Sequence, residues 1–263
     1  MLMLLFLAAA DPTALEAQSW TARHALADKD YKLARTTADQ VRKDAEALLT
    51  QRALDDEPHL PIALGAAIEV QAQSAAAQGE GAVARALLQT AIKAYAKTSI
   101  VTRLQKNLNL LTLEGKDAPA LGVTEELAGP TPTLTKLRGK PVLLFFWAHW
   151  CPDCKEQAPL VAAVAKEVPQ LQVIAPTQLY GFAQRGEDAR PEEELLHIRD
   201  VWRDAYASLT VVGAPIDSSN FVHYGASSVP TLVFIDRAGK IALYHPGKMS
   251  QAELRATVAK LVR

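Results

Sequence analysis

Cysteine is scarce: the 263-residue chain has two, Cys151 and Cys154. That excludes a scaffold stapled by several disulfides and leaves one local pair to explain. An excess of charge of either sign is missing as well, with 28 Lys and Arg against 29 Asp and Glu and a net charge of -1. A nucleic-acid binder would need a basic stripe, and no run of like charge supplies one. No apolar run reaches the roughly 20 residues that cross a bilayer as a helix. Residues 1–10 are apolar throughout and have the length of the apolar part of a secretory signal, with Ala8-Ala9-Ala10 as a small-residue cleavage site but no basic segment before it. They are expected to be a signal-peptide remnant, and the mature protein to be periplasmic or otherwise extracytoplasmic. If the run is instead a first buried helix, the location is cytoplasmic. Aromatic residues are few, at 6%, yet 49% of the chain is hydrophobic and 22% charged, enough to bury a core. At about 150 residues per domain the length predicts two.

From residue 11 to 115 alanine supplies 23 of 105 residues and β-branched clusters are few, which predicts an all-α domain of helical hairpins. Helices are expected over 15–27, 31–54, 61–79, 82–97 and 99–113. The segments opening at Asp30-Tyr31 and Glu80-Gly81 look alike at a spacing of 50 residues. This is weakly tetratricopeptide-like, although that repeat has a period of about 34. Trp20 and Tyr31 are read as residues that pack helices together, and a protein partner is expected for this domain.

Gly115, Pro119, Gly122, Gly129, Pro130 and Pro132 interrupt regular structure and mark a linker, placing the boundary near 116. Beyond it strands and helices alternate. Strands are expected at 142–147, 171–175, 209–212, 231–235 and 241–244, and helices at 152–168 and 192–207. Ser250, with Glu253 three residues on, caps a terminal helix to 262. This order predicts an α/β domain over 116–263, a mixed central sheet with helices on both faces.

The chemistry lies in Trp150-Cys151-Pro152-Asp153-Cys154, between a strand and a helix. Two cysteines at this spacing form either a small disulfide ring or two thiols. The first sulfur meets the unpaired N–H groups of the helix N-terminus, which favour thiolate, so Cys151 is the expected nucleophile, open to solvent. Cys154, one turn on and more buried, resolves the mixed disulfide. Pro152 falls in the first turn, where its missing N–H costs little. A zinc site would need further ligands, such as His149 with His223 or His245, because there is no second cysteine pair. A purely structural disulfide is the other alternative, but so short a ring adds little.

Phe146-Trp147-Ala148-His149-Trp150-Cys151-Pro152-Asp153-Cys154 resembles the signature of the thioredoxin superfamily, and Leu137-Arg138-Gly139-Lys140-Pro141-Val142 resembles the lead-in of its TlpA/ResA-like branch. Pro159 matches the proline that kinks the active-site helix. Val229-Pro230-Thr231 resembles the cis-proline loop. The resemblance covers about residues 117–263 and implies a thioredoxin-like fold and a thiol-disulfide oxidoreductase. It implies a substrate groove formed by Trp150, Pro152, Asp153, Val229 and Pro230, and no cofactor beyond the redox-active disulfide. The implied partners are cysteine-containing proteins and a thiol-disulfide electron donor or acceptor, which in this branch includes membrane-bound ones. The segment 181–207 resembles the branch's central insertion.

Two positions depart from the family. Thioredoxins carry a buried Asp six residues before the first cysteine, where this chain has Phe145. ResA-like members carry a Glu three residues after the second, where it has Gln157. Neither side chain can take a proton, so His149, Glu156 and Asp153 are the candidates for proton transfer from Cys154. Asp153 is also a like charge that opposes the Cys151 thiolate. A peroxiredoxin-like peroxidase needs Pro and Thr or Ser where Leu144 and Ala148 stand, and is the weaker alternative. The other is a helical interaction scaffold that carries a redox domain.

Overall fold

The computed structural model describes residues 11–184 and 187–262; the expected signal segment, 1–10, lies outside the described residues. Two compact units divide between Leu111 and Thr112.

The first unit is helical. Asp11 caps α1 (Pro12–Ala27) by accepting the N–H groups of Thr13 and Ala14, and Asp30 caps α2 (Tyr31–Leu48) by accepting Leu33 N–H at 3.0 Å. Then come α3 (His59–Ala77), α4 (Gly81–Ala94) and α5 (Val101–Thr112). Helix α3 is apolar around most of its circumference and buried along its length, with α1, α2 and α4 packed on it. Alanines at the contacts, among them Ala22, Ala34, Ala38, Ala63 and Ala67, are fully buried and let the axes approach. The two similar segments open α2 and α4, and Arg35 of one pairs with Glu80 of the other at 3.1 Å. Trp20 departs from expectation: it is 47% exposed, with the Arg23 guanidinium 4.7 Å above its ring. Alanines and leucines fill the core, leaving the indole on the surface.

In the second unit residues 115–118 do not hang free as a linker. Gly115 N–H donates to Ile241 O and Ala118 N–H to Gly239 O, tying the segment to the sheet. Four strands form that sheet in the order β3 (Gln172–Ile174), β2 (Val142–Phe146), β7 (Thr231–Ile235), β8 (Ile241–Pro246). β2 runs parallel to β3 and antiparallel to β7, so the sheet is mixed. Alternate residues face opposite layers. Leu143, Phe145, Leu232 and Phe234 pack with α6 (Pro152–Glu167) and α9 (Gln251–Leu261), while Leu144, Phe146, Val233 and Ile235 pack with α8 (Ser218–Tyr224). Ser250 and Glu253 form the capping box of α9.

The strand expected at 209–212 is absent there. Leu209 closes a turn after α7 (Pro191–Ala205), and the chain meets β3 only from Val212 onward, through Val212 N–H to Val173 O, Ala175 N–H to Gly213 O and Thr177 N–H to Pro215 O. The regular part, β6 (Pro215–Ile216), pairs instead with β1 (Glu125–Glu126). Proline at 215 offers no N–H and suits such an edge. The central insertion is a hairpin, β4 (Phe182–Gln184) and β5 (Glu187–Asp188), followed by α7.

Candidate active site

Strand β2 ends at Phe146 and the chain turns through 147–151 into α6. Cys151 is the N-cap of that helix and Pro152 opens its first turn. The two cysteines are joined by a disulfide, and Cys154 N–H donates to Cys151 Sγ at 3.0 Å. An N–H pointed at this sulfur favours the thiolate once the bond is reduced. The Val229–Pro230 peptide is cis, and the Val229 carbonyl oxygen lies 3.5 Å from Cys151 Sγ. Thr231 Oγ1 donates to Ser228 O at 2.6 Å and holds this loop. Cys151 is less open than expected: it is 2% exposed and Cys154 0%, because the Val229 loop lies against the first sulfur. Trp150, at 46%, is the exposed residue beside the pair.

Outside the disulfide, Asp153 and Glu156 share one cation. Lys248 Nζ stands 2.9 Å from Asp153 and 2.8 Å from Glu156, and both carboxylates raise the lysine above its ordinary value. The Asp153 charge is thus offset by Lys248, and Glu156 is an exposed ion-pair member. Gln157 is fully buried, its Oε1 accepting Met249 N–H at 2.7 Å, while its Nε2 is buried without a hydrogen-bond partner. Phe145 is a core ring 6.3 Å from Tyr206.

His149 is buried. Its ring packs edge-on against Tyr180, Phe182 and His197, and its Nε2 lies 3.3 Å from Glu194 Oε1. Neither ring nitrogen has a partner in hydrogen-bond geometry. Burial pushes the imidazole below its ordinary value and the Glu194 carboxylate pulls it back. Sequence reasoning missed Glu194, which lies within the acidic run Glu192-Glu193-Glu194 at the start of α7. Helical spacing holds the available signal: Glu194, Ile198 and Trp202 follow one another at four-residue intervals, on the face that also carries buried Ile198. On that face Trp202 stacks on Tyr206 and both rings pack against Trp147. Thr177 Oγ1 bonds Trp147 O at 2.9 Å, and Tyr180 meets Trp150 edge-on at 5.4 Å. The insertion therefore braces Trp147 and His149, and Tyr180, just before it, braces Trp150. Among the described residues no group of three or more His, Cys, Asp and Glu is placed to hold a metal ion.

Residues 132–261 match the family described as thioredoxin-like domain. The second unit is a thioredoxin-like domain. The chain is 29% identical over 143 residues to the thioredoxin-like protein YneN of Bacillus subtilis (strain 168), covering 54% of this chain and 76% of that protein. It is 27% identical over 142 residues to the thiol-disulfide oxidoreductase ResA of the same organism, covering 53% and 70%. It is 29% identical over 126 residues to the soluble secreted antigen MPT53 of Mycobacterium tuberculosis, covering 48% and 65%. The thioredoxin-like domain thus has thiol-disulfide oxidoreductases among its relatives and carries the cysteine pair as a disulfide.

Proposed function

We propose that the protein exchanges the Cys151–Cys154 dithiol and disulfide with cysteine-containing protein substrates. The observation that carries this reading is the Cys151 sulfur at the cap of α6, accepting Cys154 N–H at 3.0 Å and facing the Val229 carbonyl at 3.5 Å. In the reducing direction the Cys151 thiolate attacks a substrate disulfide, one substrate sulfur leaves as a thiolate and takes a proton, and a mixed disulfide forms. Cys154 then loses its proton and attacks Cys151 Sγ, releasing the second substrate sulfur. Two electrons and two protons pass to the substrate, and the oxidising direction is the reverse. The backbone of Val229, beside Pro230 and with Trp150, Pro152 and Asp153 around it, forms the edge on which an extended substrate segment lies. A dithiol or disulfide protein restores the starting state. The secreted relative and the apolar residues 1–10 support an extracytoplasmic site of action. No helix of the described residues is long and apolar enough to cross a membrane.

The roles of the two sulfurs differ, so the variants must differ. Cys154→Ser is expected to accumulate mixed disulfides with host proteins, visible on non-reducing gels, while Cys151→Ser traps none. Equal trapping by both would reverse the assignment.

A further inference from the structure

Glu194 is a fully buried carboxylate that disulfide exchange, as written above, does not use. Tyr180 N–H and Gly181 N–H donate to its two oxygens at 2.6 and 2.8 Å, and His149 Nε2 stands 3.3 Å from Oε1. Two backbone donors converging on its two oxygens suit the ionised carboxylate, which only accepts. The titratable and charged groups around His149 are Glu194 and His197 on α7, Tyr180 in the segment after β3, and Lys155 on α6. Burial, His197 and Lys155 all push the imidazole down, against Glu194 alone. Burial thus favours the uncharged imidazole, while the two backbone donors favour the charged carboxylate. His149 is two residues before Cys151, so their Cα atoms are at most about 7 Å apart.

We propose that the buried charge of Glu194, held by the 180–181 backbone against His149 of the redox loop, opposes the Cys151 thiolate and so sets the acidity of the nucleophile. The proposal rests on the reading of Cys151–Cys154 as a redox pair. Glu194 acts through space and through His149, as a positioning residue. At an effective dielectric near 20, a unit charge about 10 to 15 Å from a thiol moves it by about one pKa unit. It works against the helix N-terminus, which favours the thiolate. Where the thiolate is populated, destabilising it drives the pair toward the disulfide: the protein dithiol gives two electrons and two protons to glutathione disulfide and two glutathione thiols form. As pH falls through the His149 titration, the imidazolium cancels the carboxylate and the opposition is relieved.

The test follows alkylation of Cys151 by iodoacetamide against pH in the reduced full-length protein, with the modified residue identified by mass spectrometry. Glu194→Gln, which removes the charge, is expected to lower the midpoint by about one unit, or about tenfold more thiolate at a pH below it. Glu194→Asp, which keeps the charge and disturbs the geometry, stays near wild type. An unmoved midpoint in Glu194→Gln, or equal shifts in both variants, overturns the proposal. If Glu194→Gln does not fold, His149→Lys places an amine beside the carboxylate, whose charge favours the ammonium form, without touching the carboxylate's backbone bonds, and it too must lower the midpoint. The titration needs no substrate. A shifted midpoint together with no trapped mixed disulfides in Cys154→Ser would sink the exchange reading and leave the charge effect standing.

Discussion

Gln157 is the residue at which the chain departs most from the pattern it resembles. Its amide oxygen already holds Met249 N–H at 2.7 Å, and its Nε2 has no hydrogen-bond partner in the core. A carboxylate would keep the first bond and add a proton acceptor within the first turns of α6. Gln157→Glu is therefore expected to speed turnover of a test disulfide severalfold near neutral pH, and to cost about 1–3 kcal/mol of stability through the buried charge. Insulin reduction and urea unfolding check the two effects. Turnover that is unchanged from about pH 6 to 9 means that proton transfer from Cys154 is not limiting. Both cysteines, Pro152 and the departures at Phe145 and Gln157 are legible in sequence because each is defined by spacing along one strand and one helix. His149 is not. Its burial is made by Tyr180, Phe182 and His197, more than 30 residues on.

Among the elements, Ser250 caps the terminal helix as its local sequence predicts, whereas α1 opens three residues earlier than expected, at Pro12, because Asp11 caps it. The segment 209–212 shows the limit. Its apolar character is that of a strand, but pairing with β3 starts at Val212, because the turn after α7 sets where the chain reaches the sheet edge. Helix α5 joins α3 through charge. Arg103 Nε and Lys106 Nζ donate to Glu69 at 2.7 and 2.9 Å, and Glu69 is 6% exposed. Burial pushes this carboxyl up, but the two cations overcome it and hold it at about 2, against an ordinary 4.5. A depressed carboxyl contributes its full stabilisation above its unfolded value and loses it as pH falls toward its folded value. The helical unit should lose about 3 kcal/mol between pH 4.5 and 2. In Glu69→Gln this part of the acid transition should vanish, with a similar loss already present at neutral pH. Trp20, the one tryptophan before residue 112, reports it by fluorescence during urea unfolding at each pH. An unaltered acid transition in the variant would show that other carboxylates govern it.

The whole molecule consists of two units with separate cores, one closed by α1–α5 and one by the mixed sheet and its helices. The cysteines, the cis-proline loop, Glu194 and His149 all belong to the second. A fragment of residues 112–263 is accordingly expected to fold cooperatively and to reduce insulin within about threefold of the full chain, since these described site residues lie within it. A fragment that folds but has lost most of its turnover would assign the helical unit a part in exchange with small test substrates. Trapping from the Cys154→Ser chain, with and without residues 11–111, then reads whether the helices select protein partners.

Sequence alone determined the division into helical and α/β parts, the cysteine pair at the start of a helix and the proline loop opposite it. These rest on composition, on helix-end chemistry and on short spacings, which survive any arrangement of the distant chain. Tertiary structure alone decided that Cys151 is nearly closed off, that Lys248 offsets Asp153, that Trp20 lies on the surface, and that Glu194 reaches His149. Each of these depends on which side chains from separate elements share one low-dielectric space. Burial and charge pairing are properties of that space, and no local pattern in the chain encodes them.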